Sequence, residues 1–271
     1  MSELGGRNVL ITGAASGIGR LVAERVAAAG ATLVLWDVND AALAAFAGEL
    51  GRAGRKVATY TCNLADRAAI RQTATRVLAE HGHVDILVNN AGIVSGKPLL
   101  EISDEEIERT FDVNTLALFW TTRAFLPKMR ERNSGHIVTI ASAAGLVGTA
   151  RLTDYCASKF AAVGFDEALR LELARLGLAV RTTVVCPFYI STGMFAGVKT
   201  RFPLVLPILR PEYVADRIVD AIRRDRPRLL LPRFNYAIYP SRLLPVGVFD
   251  ALMRFFGVSK SMDEFTGRAG H

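Results

Sequence analysis

Short β-branched, apolar runs alternate with amphipathic stretches along almost the whole chain. Such runs are typical of strands whose two faces are both covered by helices. Seven strands are predicted, at Asn8–Gly13, Ala31–Asp37, Lys56–Asn63, Val84–Asn89, His136–Ser142, Ala179–Cys186 and Arg228–Leu231. Because parallel strands need long crossover connections, strands that alternate with helices favour a parallel sheet. The pattern therefore predicts an α/β fold with a doubly wound, seven-stranded parallel sheet and helices on both faces.

The stretches between these strands have the start signals and the periodicity of helices. They are Gly17–Ala29, segments that begin at Asp40 and Asp66, a long helix from Ser103 to about Arg130, Thr153–Arg175, and Pro211 to about Asp225. Ser103 followed by Glu106 is typical of a capping box at a helix start. No repeat, linker or low-complexity segment interrupts the alternation, so residues 1–271 are predicted to form one domain.

Composition and charge disfavour several classes of protein. The net charge of +7 comes from arginines scattered along helices without a nucleic-acid-binding signature, which indicates solvated helix faces and no nucleic-acid partner. The three cysteines form no CxxC pair and the four histidines, including His271, lack ligand spacing, so neither disulfides nor a metal are expected. Neither a leader nor an apolar stretch of about 18 residues is seen, which predicts a cytoplasmic protein.

The first strand runs directly into a glycine-rich turn, Thr12–Gly19, that opens the first helix. Glycine lets the backbone turn sharply and approach a pyrophosphate closely. The helix N-terminus behind the turn offers unpaired N–H groups and a positive dipole to that anion. The turn predicts a Rossmann-type dinucleotide site with contacts at Gly13, Ala15, Ser16, Gly17, Ile18 and Gly19.

Asp37, at the end of the second strand, indicates which dinucleotide is bound. It follows Gly19 at a distance from which a carboxylate can accept hydrogen bonds from both ribose hydroxyls. A 2′-phosphate would be repelled there, and the plausible places for a compensating cation hold Ala15, Ser16 and Val38. The sequence therefore favours NAD over NADP. The competing interpretation of Asp37 is a helix cap, a role that Asp40 is also able to take.

Three separated motifs together resemble the short-chain dehydrogenase/reductase family. They are TGxxxGIG at residues 12–19, NNAG at residues 89–92 and YCASK at residues 155–159. The match covers nearly the whole chain. The resemblance implies an oxidoreductase that uses a nicotinamide dinucleotide, with further cofactor contacts at Asn63, Leu64, Asn90, Ala91 and Gly92. Asn63 stands where the family usually has an acid, but an amide can still accept from the adenine amino group.

Tyr155 and Lys159 are the candidate proton-transfer pair. A phenol titrates near 10, so a base that works near pH 7 needs its pKa lowered by about three units. At positions i and i+4 of a helix the two side chains share one face, and an ammonium there is expected to favour the phenolate. The resemblance adds that Lys159 and Tyr155 also contact the cofactor.

Further residues are expected to complete the site. The Ser142 hydroxyl, after the fifth strand, is placed to bond the substrate oxygen, and Asn114 matches the family's fourth catalytic residue. By resemblance, the segment after the sixth strand holds the nicotinamide through Pro187, Ile190 and Thr192, although Phe188 replaces the usual glycine. Taken alone, each catalytic candidate has an ordinary structural interpretation, such as a strand cap for Ser142.

Three stretches resemble one branch of the family, the retinol and 17-beta-hydroxysteroid dehydrogenases, which includes epidermal retinol dehydrogenase. They are residues 155–165, 186–195 and 206–212 with the tail near 262–263. The resemblance implies a hydrophobic alcohol or carbonyl as substrate. Residues 188–212 are predicted to form a substrate lobe and residues 233–271 an apolar C-terminal extension that acts as a lid, an interface or a membrane contact. The N-terminal hydrophobic anchor of that branch is not seen.

Alternatives remain at this point. One is an NADPH-dependent 3-oxoacyl or ketone reductase, against which Asp37 argues. Another is a dinucleotide-binding protein at a lipid surface without turnover, against which the four catalytic candidates argue. A zinc-dependent alcohol dehydrogenase is disfavoured because a Cys/His ligand cluster is not seen. By resemblance, pairing through the helices that bear Asn114 and Tyr155 predicts a homodimer or homotetramer.

Overall fold

The computed structural model of this protein describes residues 3–267, so the ends of the predicted domain, at 1–2 and 268–271 with His271, lie outside the described residues. The strands are β1 (Asn8–Thr12), β2 (Thr32–Asp37), β3 (Val57–Thr61), β4 (Ile86–Asn89), β5 (Gly135–Ile140), β6 (Val180–Pro187) and β7 (Arg228–Leu231). The helices are α1 (Gly17–Ala28), α2 (Asp40–Arg52), α3 (Arg67–His81), α4 (Asp104–Phe111), α5 (Ala117–Glu131), α6 (Thr153–Arg175), α7 (Pro211–Arg223), α8 (Ile238–Ser241) and α9 (Val246–Phe255).

The seven strands form one parallel sheet in the order β3-β2-β1-β4-β5-β6-β7, which confirms the predicted fold class. From β1 the chain winds outward through β2 and β3 and then crosses back to β4, beside β1. The direction of winding reverses at that point. The carboxyl ends of β1 and β4 therefore border a crevice, where ligands bind in sheets of this class.

Alternate side chains of the strands enter two apolar layers on opposite faces of the sheet. Val9 and Ile11 of β1 pack with α1, α2 and α7, whereas Leu10 packs with α3, α5 and α6. Trp36 of β2 lies in the second layer, with its ring centroid 5.9 Å from that of Phe125. Each such buried side chain stabilises the fold by about 1.5–3 kcal/mol. The strands therefore hold the crevice on a rigid platform.

The prediction of one continuous helix from Ser103 to Arg130 is wrong in one place. Residues Asp112–Leu116 form a π-helical turn between α4 and α5. Its Asn114 side chain bonds the main chain of Ile93, after β4, on the inner side of the helix. Such wide turns are frequent at functional positions. The helix start is as predicted, since Ser103 and Glu106 form a capping box.

The C-terminal extension contains α8, α9 and a 3₁₀ turn at Val258–Lys260. Arg242 fixes it to the body of the protein, because its Nε donates to the Leu146 carbonyl at 3.1 Å and its guanidinium lies over the Phe160 ring. Leu243, between α8 and α9, and Val246, the first residue of α9, are 87% and 76% exposed. Within residues 3–267, no helix combines the length and the apolar character that crossing a bilayer requires.

Candidate active site

The four catalytic candidates converge beside the crevice. Ser142 follows β5, Tyr155 and Lys159 lie in the first turns of α6, and Asn114 lies in the π-turn. All four are buried, with 9%, 4%, 4% and 1% of their surface exposed. Polar groups are kept in such surroundings only when other polar groups bond to them. The structure thus brings the predicted set together in one closed cluster.

Asn114 connects the loop after β4 to α6. Its Oδ1 accepts from the Ile93 N–H at 2.9 Å, and its Nδ2 donates to the Ile93 carbonyl at 2.9 Å and to the Ser158 Oγ at 3.0 Å. The Ser158 hydroxyl in turn donates to the Tyr155 carbonyl at 2.8 Å. One amide therefore fixes the position of the turn of α6 that carries the tyrosine.

Lys159 points towards the ends of β4 and β5. Its Nζ donates to the Ile140 carbonyl at 3.0 Å and lies 5.7 Å from the centroid of the Tyr155 ring. A Cβ atom on Gly92 would lie 3.3 Å from this Nζ, so the amine stands close against the NNAG backbone. Burial lowers the pKa of Lys159 to about 8. The amine can therefore lose its charge near pH 8, well below the pH at which an exposed lysine does so.

The pKa of Tyr155 shifts in the direction opposite to the sequence-based expectation. Burial raises it above the ordinary value for a phenol, and the hydrogen bond with Ser142 offsets only part of this rise. The Lys159 amine bonds to the Ile140 carbonyl and lies beside the ring, so its attraction for a phenolate does not outweigh desolvation. In this closed arrangement the phenol is held as a proton donor.

The glycine turn has the tight geometry predicted for it. Gly13 has φ +63°, and a Cβ atom on Gly19 would lie 2.1 Å from the Gly13 carbonyl oxygen, so neither position accepts a side chain without distortion. The Asn90 Nδ2 donates to the Thr12 and Gly13 carbonyls at 2.9 and 3.1 Å. Ser16 precedes α1 at its N-cap position. Asn90 therefore supports the turn from below and leaves the start of α1 facing the crevice.

Asp37 is bonded to that same turn. Its Oδ2 accepts from the Ala15 N–H at 2.9 Å and its Oδ1 from the Asn39 N–H at 3.0 Å. The helix-cap interpretation of Asp37 is wrong, and so is that of Asp40, because Asn39 caps α2 by accepting from the Ala42 N–H. The carboxylate thus sits at the edge of the crevice with a fixed orientation.

Asn63 and Leu64 lie on the loop after β3. The Asn63 side chain is exposed and accepts from the Ala65 N–H at 3.1 Å, whereas Leu64 is buried in the core layer of β3. Because Cys62 donates its N–H to the Asp37 carbonyl, this loop starts at the same edge of the sheet as Asp37. Both residues are therefore near the region where an adenine is expected.

The loop after β6 is held by main-chain bonds. The Phe188 N–H donates to the Leu231 carbonyl at 2.7 Å, and Ile190 pairs with Leu209 in an isolated bridge. The Thr192 N–H donates back to the Ile190 carbonyl at 2.8 Å. The Phe188 side chain, which replaces the usual glycine, packs on Tyr189 with ring centroids 4.7 Å apart. Pro187, Ile190 and Thr192 thus lie on one ordered strip at the carboxyl end of the sheet.

Sequence reasoning missed two residues of the site. Thr12 uses its Oγ1 to accept the N–H groups of Asn90 and Ala91 at 3.0 and 3.1 Å, a role indicated only by its place directly before Gly13. Asp154 is buried beside Tyr155 and accepts from the Thr110 hydroxyl at 3.0 Å. An acidic residue in the first turn of a helix is usually one that interacts with the helix N-terminus at the surface. The sequence therefore did not indicate that Asp154 is buried in the site. In the described part of the chain, no three His, Cys, Asp or Glu side chains meet as a metal site.

Comparison with known proteins identifies the family. The short chain dehydrogenase profile matches residues 7–201, which is well over half of the chain. This chain belongs to the short-chain dehydrogenase family. Among its relatives, epidermal retinol dehydrogenase 2 of Mus musculus is 46% identical over 271 residues, which cover 98% of this chain and 87% of that protein. Retinol dehydrogenase 10 of Homo sapiens is 44% identical over 292 residues, 97% of this chain and 86% of that one.

Solved structures of short-chain dehydrogenases have the same fold. One from Burkholderia phymatum, in complex with NAD, superposes with a TM-score of 0.81 at 31% identity over 90% of this chain and 95% of that one. A metagenomic short-chain oxidoreductase in complex with NADP superposes with a TM-score of 0.70 at 32% identity, over 84% of this chain and 96% of that one. This short-chain dehydrogenase is thus an oxidoreductase of alcohols, related to the retinol dehydrogenases.

Proposed function

We propose that this short-chain dehydrogenase transfers hydride between NAD and a hydrophobic alcohol or carbonyl of retinoid, steroid or other lipid type, with Tyr155 as the acid/base. The observation that supports this is the convergence of Tyr155, Lys159, Ser142 and Asn114 beside the crevice at the end of β4. Residues of each of these types often have purely structural roles in proteins. Their burial together in one cluster is the arrangement that proton transfer needs.

The residues present fit a nicotinamide dinucleotide. The turn between β1 and α1 carries no side chain at Gly13 or Gly19, and it directs the N-terminus of α1 towards the crevice, as a pyrophosphate requires. The nicotinamide, when bound, gives or takes the hydride. The proposed cofactor contacts are those expected from the sequence: Gly13, Ala15, Ser16, Gly17, Ile18, Gly19, Asp37, Asn63, Leu64, Asn90, Ala91, Gly92, Tyr155, Lys159, Pro187, Ile190 and Thr192.

Tyr155 carries the proton in this proposal. In the reduction direction its hydroxyl donates to the carbonyl oxygen as hydride reaches the carbon, and in oxidation its phenolate form takes the O–H proton of the alcohol. Ser142 orients the substrate oxygen and shares a hydrogen bond with the phenol. Lys159, whose amine lies 5.7 Å from the centroid of the Tyr155 ring, attracts the phenolate while it keeps its charge, and burial lowers the pKa of this amine to about 8. Asn114 holds this turn of α6 in place.

NAD is favoured over NADP because of Asp37. Its carboxylate is fixed beside the glycine turn by the Ala15 N–H, where ribose hydroxyls can donate to it and a phosphate is repelled. Val38, the next residue, supplies no cation. Tighter binding of NADP than of NAD would support the alternative, an NADPH-dependent 3-oxoacyl or ketone reductase. Asp37→Ser is expected to weaken NAD binding at least tenfold and to narrow the preference between the two cofactors.

The test of the activity is NADH production across retinol, steroids and long-chain or terpenoid alcohols. Tyr155→Phe is expected to lower kcat by a factor of 1,000 or more, since general acid–base catalysis contributes about 10²–10⁴ and the buried ring also positions the substrate. Tyr213→Phe, on the exposed surface of α7, is the matched control and should leave kcat unchanged. Binding of NADH without turnover of any alcohol would favour the non-catalytic dinucleotide-binding protein instead.

Membrane-surface contact is proposed for the C-terminal extension. Leu243 and Val246 expose apolar surface on an extension that also carries the exposed cation of Arg254, and apolar surface combined with cations binds anionic lipid surfaces. A cytoplasmic enzyme with this surface can reach alcohols dissolved in a bilayer. Flotation with liposomes that contain anionic lipid tests this proposal. Leu243→Glu with Val246→Glu should abolish flotation, and unchanged flotation would exclude this surface as the contact.

Self-association is proposed through the outer face of α5 and α6, in a homodimer or homotetramer. This face exposes the apolar side chains of Phe119, Phe160 and Leu171. Exposed apolar patches of this kind mark interfaces. Sedimentation velocity tests the assembly: Leu171→Glu is expected to shift it towards monomer, and a wild-type protein that sediments only as monomer would refute it. We also propose that residues 188–212 form the substrate lobe of the enzyme and that the chain from residue 233 onward forms a separate C-terminal extension.

A further inference from the structure

The chain after α9 lies across the candidate active site. Gly257, with φ +74°, ends α9, and residues 258–267, here called the closing segment, run back over α6 and the loop after β6. Met262 is fully buried in the apolar cluster that contains Tyr155. Ser261 and the hydroxyl of Tyr189 share a hydrogen bond of 2.8 Å. The extension thus has two parts, an exposed one around α9 and a buried one over the tyrosine.

Phe265 supplies the aromatic ring of the closing segment. Its centroid is 6.4 Å from that of Phe195, whose ring meets Tyr155 edge-on at 5.7 Å. A Cβ atom on Gly96 would lie 2.0 Å from the Phe265 Cε1, so the ring rests on bare backbone. A Cβ atom on Gly197 would lie 2.0 Å from the Glu264 carbonyl oxygen. The segment therefore occupies a slot between two glycines.

The closing segment has few bonds to the rest of the protein. The N–H groups of Thr266 and Gly267 donate to the Ala196 carbonyl at 3.0 and 3.3 Å, and the Lys199 N–H donates to the Ser261 carbonyl at 3.2 Å. The ion pair of Lys199 and Glu264 is exposed and contributes little. These contacts all reach loop residues, so local opening of the segment leaves the sheet and its helices intact.

The burial of Tyr155 requires such an opening. Its side chain is only 4% exposed, yet its hydroxyl must come within hydrogen-bond distance of a substrate oxygen. The Phe195 ring meets it edge-on, Met262 lies in the same apolar cluster, and Phe265 packs against that cluster. An alcohol with a bulky apolar body therefore has to displace part of this apolar cluster to reach Tyr155.

We propose that Phe265 is a specificity-determining residue for the alcohol, because its ring fills the apolar space beside Phe195 and must be displaced by the body of the substrate. The inference rests on the proposed function and refines its substrate class. Short alcohols reach Tyr155 with small displacement of the ring, and long or rigid polycyclic ones only with full displacement. The size of residue 265 therefore sets how kcat/KM depends on the size of the alcohol.

The experiment compares Phe265→Ala with the wild type on linear primary alcohols from butanol to hexadecanol at saturating NAD. The variant is expected to raise kcat/KM for the longest alcohols at least fivefold relative to butanol, mainly through KM, and Phe265→Leu should give an intermediate shift. Phe255→Ala removes an exposed ring of the same extension that does not touch the Tyr155 cluster, and it is the matched control. An equal change for all chain lengths, or the same shift in Phe255→Ala, would overturn the proposal.

A second measurement needs neither cofactor nor alcohol. Cys156 is 7% exposed in the same cluster, and burial raises the pKa of its thiol, so it reacts slowly while the segment is closed. Peptide mass mapping after N-ethylmaleimide treatment should show Cys156 labelled at least threefold faster in Phe265→Ala, with Cys62 unchanged. Unchanged labelling of Cys156 would overturn the proposal even if alcohols are oxidised. Faster labelling in a protein that oxidises none of them would refute the proposed function instead.

Discussion

Asp166 gives the most demanding prediction about stability. It lies in α6, two turns after Lys159, and only 1% of it is exposed. The Thr182 hydroxyl donates to its Oδ2 at 3.4 Å, but within residues 3–267 its Oδ1 has no hydrogen-bond partner. Burial raises the pKa of Asp166 to about 7, although Thr182, Arg170 and Arg228 lower it in part. The folded protein therefore holds a proton that an unfolded chain releases at a much lower pH.

The magnitude follows from the two pKa values. An unfolded aspartate titrates near 3.9, so the shift of roughly three units corresponds to about 4 kcal/mol. Because the folded-state pKa is the higher one, stability from this group is complete below pH 4 and is lost as the pH rises to 7 and above. Asp166→Asn removes the charge but leaves an amide donor in place of the unpaired Oδ1, at a cost of about 1–3 kcal/mol. We expect a net gain of about 1–3 kcal/mol at pH 8 and a net loss at pH 4.

His136 provides a second test, because its contribution makes stability change with pH in the direction opposite to that of Asp166. Burial lowers the pKa of His136 to about 4, so the folded state excludes a proton that the unfolded chain binds below pH 6.5. Its contribution, up to about 3 kcal/mol, is lost as the pH falls from 6.5 to 4. In the wild type, between pH 6.5 and 4, the stability gained by protonating Asp166 and the stability lost at His136 offset each other. In Asp166→Asn the stabilising effect of protonating Asp166 is absent while the loss from His136 remains, so stability should fall on acidification more steeply than in the wild type.

Urea denaturation from pH 4 to 9, followed by tryptophan fluorescence at one protein concentration, measures these profiles. Asp250→Asn, an exposed acid on α9, is the control and should follow the wild type. Parallel pH profiles for Asp166→Asn and the wild type would refute the reasoning, since they would mean that Asp166 is ionised in the folded protein at neutral pH.

Three further perturbations follow from the fold and the site. Gly19→Ala should lower Tm and weaken NAD binding more than tenfold by calorimetry, because its Cβ would lie 2.1 Å from the Gly13 carbonyl oxygen; full NAD affinity would contradict the turn geometry. Ser103→Ala should cost about 1 kcal/mol in urea melts through loss of the α4 cap, without effect on KM. Asn114→Leu should lower kcat and Tm together, and an unchanged kcat would show that the bond to Ser158 does not position α6 for catalysis.

The sheet and the catalytic cluster could be predicted because they depend on local patterns. Apolar runs between helices determine strand positions, as at β1 and β2, and the i, i+4 spacing places Tyr155 and Lys159 on one face of α6. The predicted strand ends differ from the observed ones by at most two residues, as at β3, which ends at Thr61 and not at Asn63. Hydrogen bonds across the sheet decide such ends, and no window of sequence contains them.

What could not be predicted depends on contacts between distant segments. The π-turn at Asn114 is stabilised by bonds to Ile93 and Ser158, which lie in other parts of the chain. The rise in the pKa of Tyr155 comes from burial that includes the closing segment, about a hundred residues further along. The apolar residues of the extension could be read from the sequence, but contacts with distant residues, such as the packing of Phe265 on Gly96 and the burial of Met262, separate its buried part from its exposed one.

The 23-residue helix α6 has a consequence for how such an enzyme can diversify. It bears the tyrosine and the lysine at one end, is tied to the π-turn by Ser158, and packs Leu169 and Leu173 into the core at the other end. The groups proposed to choose the alcohol belong to separate chain segments that touch this helix only from outside. Replacement of those segments can therefore change which molecule is oxidised while the proton-transfer geometry is inherited intact.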